Sequence, residues 1–173
     1  IATVALLSGC VPQEPVITPE PEPSSTPVFA SDEEALAAAT DAYAKYLEGS
    51  DQIAHDGGAG ADRITSYLTT AQAAKELETF AQLKESGRST QGATTFDKVR
   101  LQQYEKSPQG TDVVVVYLCL DVSAVEVQDA KGKDVTPSDR TNRLPLEVGF
   151  EASDSSRLLI SRSEPWSGSD FCM

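Results

Sequence analysis

The sequence predicts an α+β fold in which N-terminal helices pack on a curved antiparallel sheet. Three observations predict it. Apolar residues recur at helical spacing from Leu36 to Phe80, they alternate with a period of two from Thr94 onward, and Gly87 marks the change. Helices and strands segregated along a chain in this way build α+β layers rather than a parallel α/β sheet.

Ser31-Asp32-Glu33-Glu34 is a capping box, in which the serine oxygen and the Glu34 carboxylate can each take an orphan amide. The helix it opens carries Leu36, Ala39, Tyr43 and Leu47 on one stripe, and Gly49 is its expected stop. His55-Asp56-Gly57-Gly58-Ala59-Gly60 follows. Without a lysine or a strand before it, this is expected to be a flexible connector, not a phosphate loop. Residues 62–68 read as a short helix with Ile64, Tyr67 and Leu68 inward. Thr69 and Gln72 offer a second capping box, and the next helix presents Ala73, Leu77, Phe80 and Ala81 before Gly87 ends it.

Residues 94–104 form a first long strand with Val99 and Leu101 facing one way. Residues 112–127 give the strongest strand signal, being rich in β-branched side chains. One face carries Val114, Val116, Leu118, Leu120 and Val122; the other carries Val113, Val115, Tyr117, Cys119 and Asp121. Both are largely apolar, which predicts a central strand covered on both sides. Lys131-Gly132 marks a hairpin to a short strand near Val135, and Thr136-Pro137-Ser138-Asp139 a turn. Residues 141–152 alternate Leu144, Leu146, Val148 and Phe150 inward, and residues 157–164 return as the last strand. Trp166 is expected to plug the bottom of the core.

The N-terminal segment has a different character. The apolar run Ile1 to Leu7 leads into Leu7-Ser8-Gly9-Cys10, the pattern of a bacterial lipobox. Residues 1–9 then read as the end of a signal peptide, with thioether diacylation of Cys10 and cleavage in front of it. The run is far shorter than the ~20 residues of a membrane span. A single acyl chain binds only marginally, whereas the two chains of a diacylglyceryl group anchor stably. Residues 10–30 make up the lipidated cysteine and a tether with Pro12, Pro15, Pro19, Pro21, Pro23 and Pro27. Proline fixes φ and removes donors, so the tether favours polyproline II and reaches roughly 60 Å at about 3.1 Å per residue. No basic residue flanks its prolines, so it reads as a spacer. Residues 31–173 remain as one domain.

The chain has 27 acidic and 14 basic residues, a net charge of −13. This balance argues against nucleic acid and against an electrostatic grip on anionic lipid. With Cys10 assigned to the lipid, Cys119 and Cys172 are left as a pair in an exported domain, where disulfides persist. Two thiols and the single His55 are not spaced as a zinc site, and no metal or cofactor is expected.

The helix with Tyr43 and Tyr46, the strand Tyr117-Leu118-Cys119-Leu120-Asp121, the hairpin after it and the ending Trp166…Phe171-Cys172 follow one another in a familiar order. The order resembles the NTF2-like cone of the ketosteroid-isomerase and SnoaL-like superfamily over about residues 32–172. More narrowly, it resembles the secreted NTF2-like domains of lipoproteins from high-GC Gram-positive bacteria. The resemblance implies a pocket between sheet and helices, where enzymes of the superfamily place acid–base residues. Such chemistry could draw here on Asp121 as base, with Tyr43, Tyr46 or Tyr117 as oxyanion donors. No position matches a family catalytic motif, so the tyrosines read as packing, Asp121 as a satisfied strand-end carboxylate, and His55 as a surface loop residue. The expectation is a lipoprotein on the extracytoplasmic face of the bacterial membrane. Its non-catalytic domain would serve an envelope protein or small ligand, with a homodimer through the sheet face as one arrangement. The alternative is a small isomerase or cyclase using the cone pocket.

Overall fold

The computed structural model describes residues 28–106, 111–152 and 157–173. The lipobox, Cys10 and the tether up to residue 27 lie outside the described residues. Ser31 caps α1 (Asp32–His55) by accepting the Glu34 amide at 3.3 Å. The Glu34 carboxylate reaches one residue further back than in a regular capping box, to the Ala30 amide at 2.8 Å. The helix does not stop at Gly49. A Cβ at that glycine would come within 2.9 Å of the Tyr67 ring, so its absence lets the 3₁₀ helix Ala61–Tyr67 close against α1. Nor are residues 56–60 a loose connector. Gly58 is buried at φ +82, its amide donates to the Ile53 carbonyl at 2.8 Å, and a Cβ there would collide with the Phe80 carbonyl.

Phe80 belongs to α2 (Thr70–Ser86), which Thr69 begins without a side-chain cap. Gln72, expected as the capping partner, is buried instead and donates to Glu76 at 3.3 Å. Ala73 and Phe80 enter the core, whereas Ala81 is exposed. Gly87, at φ +65, ends the helix as its position predicts.

Six strands follow: β1 (Ser89–Gln91), β2 (Thr95–Lys106), β3 (Asp112–Asp121), β4 (Glu126–Gln128), β5 (Arg143–Ala152) and β6 (Leu158–Pro165). The main sheet is antiparallel in the order β2-β3-β5-β6, and β1 pairs with β4 in a second small sheet. The single strand expected over residues 112–127 is therefore two. The Asp121 carboxylate takes the Ser123 amide at 2.8 Å and Val125 donates to the Val122 carbonyl at 3.0 Å, which turns the chain out of the main sheet. Gly92, at φ +87, accommodates that turn, because a Cβ there would overlap the Ala124 carbonyl. The hairpin at Lys131-Gly132 is present, with Val135 donating to the Val127 carbonyl at 2.8 Å. β2 shifts register twice, between Asp97 and Arg100, where Lys98 has φ +53, and between Leu101 and Gln103, and such bulges bend a sheet.

The core lies between the inner sheet face and the helices. Val114, Val116 and Leu118 of β3 and Val148 and Phe150 of β5 meet Tyr43 and Ile53 of α1 and Phe80 of α2. Ala35 and Ala39, both fully buried, leave room for α1 to approach the sheet. Leu68 bridges Ile160 of β6, and the Thr69 amide donates to the Ile160 carbonyl at 3.0 Å, tying the helical layer to the sheet edge.

The two left-handed glycines of the distal turns separate strain from collision. Gly132, at φ +76, has nothing within 4 Å of the place a Cβ would take, so Gly132→Ala is expected to cost about 1 kcal/mol for left-handed strain alone. Gly92→Ala adds the collision with Ala124 and is expected to cost roughly 3 kcal/mol or more. Urea denaturation of both variants checks this; equal costs would contradict it.

Candidate functional site

Alternation along β3 divides the candidate residues between two sides of the sheet. Tyr43 and Tyr46 project from α1 into the inner core, whereas Tyr117, Cys119 and Asp121 share the outer face. The structure does not bring Asp121 together with the α1 tyrosines.

On the outer face Asp121 is fully engaged. Arg143, its cross-strand partner on β5, donates to it at 2.6 Å and holds both oxygens of Asp97 at 2.6 and 2.8 Å. Hydrogen bonds from Ser123, then from Arg143, pull the Asp121 carboxyl down to about 2. A group so acidic is a poor general base near neutrality. Tyr117, four residues away, has Glu147 as its cross-strand partner on β5, and burial, then the Glu147 charge, push its phenol up.

The C-terminal segment covers this face. Cys172 is bonded to Cys119 with Cα atoms 5.5 Å apart, and the Cys172 carbonyl accepts from Arg143 at 3.1 Å. Lys98 donates to the Phe171 and Met173 carbonyls at 2.9 and 2.7 Å. Trp166 packs at a tilt with its ring centroid 4.7 Å from that of Tyr117, so it covers the outer sheet face and does not plug the core. Gly149 leaves space for the Arg162 stem to cross the sheet and reach Glu147 at 2.8 Å. Val115 is thereby only 2 % exposed although it points outward.

The inner tyrosines meet a carboxylate that the sequence did not single out. Tyr46 donates to Glu76 at 3.1 Å, on the same oxygen that Gln72 reaches. Burial, and then the Glu76 charge, push both the Tyr43 and Tyr46 phenols up, so they remain neutral donors. Tyr43 packs edge-on against Phe96 at 5.0 Å and is almost fully buried. Glu76 lies thirty positions from Tyr46, and only the helical stripe of α2 could have pointed to it.

His55 is the last residue of α1, not a loop residue, and its Nε2 lies 2.8 Å from the Gly92 carbonyl. It stands on the rim of a groove of about 500 Å³ between α1 and the start of β2. A second hollow of about 430 Å³ lies by Lys45, Tyr67 and Arg157. Among the described residues no group of three His, Cys, Asp or Glu side chains is placed to hold a metal ion.

No protein-family model matches the sequence, and no curated protein matches it. Among solved structures, the chain is similar to the intermembrane space region of the chloroplast protein ARC6. The identity is 13%, over 77% of this chain and 97% of that one, with a TM-score of 0.55. A periplasmic fragment of TraM is 10% identical over 79% and 98% of the two chains, with a TM-score of 0.48. Aln2 from a Streptomyces species is 19% identical over 78% and 93%, with a TM-score of 0.36. The first likeness shows the α+β fold.

Two outcomes test the outer face. Since Asp121 titrates below its ordinary 3.8 when folded, it stabilises the protein above about pH 4, and this contribution is lost as pH falls toward 2. In Asp121→Asn the stability curve should lose slope across that window; an unchanged slope would contradict the pairing. Replacing Cys119 and Cys172 together by alanine reopens a 53-residue loop and is expected to cost about 4 kcal/mol in urea denaturation, an upper value from chain entropy. No loss of stability would mean that the strap is not held by the bond.

Proposed function

We propose that this protein is a lipid-anchored component of the bacterial cell envelope, displayed on the extracytoplasmic side, whose NTF2-like domain binds a partner without catalysing a reaction. The observation that carries the non-catalytic reading is the sheet itself, which separates Asp121 from Tyr43 and Tyr46 while Arg143 occupies the carboxylate. An isomerase or cyclase would need that base and those hydroxyls in one pocket. The Cys119–Cys172 bond supports an oxidising compartment. Helices laid on a bulged antiparallel sheet support the cone.

The tether reading is supported by the way its end is seated. Phe29 is buried with its ring 5.7 Å from Tyr104, and its amide donates to the Tyr104 hydroxyl at 2.9 Å. The Tyr104 hydroxyl and the Val28 amide both donate to Asp112, which is buried at the start of β3. A pull on the tether is thus taken up by the sheet.

Metabolic labelling with an azido fatty acid in the bacterial host tests the anchor. The natural chain should take the label and partition with membranes, and Cys10→Ala should do neither. Equal labelling of the two overturns the lipoprotein reading.

A further inference from the structure

We propose that the groove between the C-terminal half of α1 and the start of β2 binds a small organic cation, an ammonium group carried on an apolar body. One wall is a single helical stripe, because Ala44, Leu47, Glu48, Asp51, Gln52 and His55 recur at intervals of three and four. The other wall is residues 93–96. Leu47, Ala44 and Phe96 give the groove an apolar floor, and about 500 Å³ suits a small ligand.

The rim fixes the sign of the charge. Glu48 and Asp51 are the carboxylates lining the groove, and among the described residues no lysine or arginine lines it. His55 faces the Gly92 carbonyl, which can only accept, so Nε2 carries a proton and in the neutral ring Nδ1 is left as an acceptor. Gln52 adds a neutral amide. An anion would meet two carboxylates, whereas an ammonium group would find oxygens already in place.

The groove is also built in advance. Asp51 accepts the Thr94 amide at 2.8 Å and its hydroxyl at 2.7 Å, and the His55–Gly92 bond fixes the adjoining turn. These contacts set the spacing of the walls, so little ordering remains for a ligand to bring about. The groove adjoins Thr95, while the tether is seated at Tyr104; their partners on β3 are Asp121 and Val114, so the two are roughly 24 Å apart at strand rise.

This inference deepens the binding reading above by naming a ligand class, and its test does not depend on the anchor. The full ¹⁵N-labelled chain, kept in solution as Cys10→Ser, is titrated with 4-phenylbutylammonium, 4-phenylbutanol and 5-phenylpentanoate, which share one phenylbutyl body. The ammonium should give saturable amide shifts at Leu47, Glu48, Thr94 and Thr95, the alcohol should bind more weakly, and the carboxylate should not bind. Glu48→Gln should weaken the ammonium about fivefold, the value of one contact at ~4 Å in water, and Glu48→Lys further. Amide positions outside the groove report that both variants are folded. Absence of saturable shifts at the groove, equal binding of the three probes, or an affinity indifferent to Glu48→Lys overturns the proposal. Cys10 labelling can succeed or fail independently of all three.

Discussion

The structure depends on β3 being buried on both faces. A strand apolar on both sides needs two covers, and here they are of different kinds. The helical layer takes Val114, Val116 and Leu118. The outer face is closed by the chain's own C-terminal segment, with Trp166 on Tyr117 and Cys172 bonded to Cys119. An irregular segment has no ladder to hold it, so its backbone carbonyls need other donors. Lys98 and Arg143 supply them at Phe171, Cys172 and Met173. The left-handed backbone at Lys98 belongs to the same device, since the bulge there accompanies an ammonium aimed at the strap.

This arrangement decides what Asp121 is for. Arg143 must stay charged and in place to hold the Cys172 carbonyl, and it is held by Asp121 and Asp97 across three strands. Asp121 also closes the turn that sends the chain to β4. A carboxylate with these duties is a structural counter-ion. The tyrosines across the sheet serve the core in a similar way, with the Tyr46 hydroxyl satisfied by Glu76.

Much of the fold was legible because local physics and tertiary packing agree. The stripe Leu36-Ala39-Tyr43-Leu47, the change of period at Gly87, the two apolar faces of β3 and the inward row Leu146-Val148-Phe150 all stand in the structure. The misreadings share one cause, a tertiary neighbour that changes a residue's duty. Gly49 looks like a helix stop until Tyr67 closes over it, and Gln72 looks like a cap until it turns inward to Glu76. The run of β-branched residues after Asp121 hides a corner that depends on Gly92, far earlier in the chain. The candidate site was the least legible part. Alternation placed Asp121 beside Tyr117, but which face would meet the helices depends on the whole sheet. Arg143 and Asp97 acquire meaning only through cross-strand register.

The central claim is that Asp121 anchors the strap on the outer face and is not a base in a pocket. Its carboxyl pKa, followed directly by ¹³C NMR through an acid titration of the oxidised protein, is the most direct measurement. A midpoint near 2, moving together with the shifts of Arg143 and Cys172, is the expected result. A midpoint above the ordinary carboxylate range, independent of Arg143, would contradict the account and make Asp121 a candidate base again.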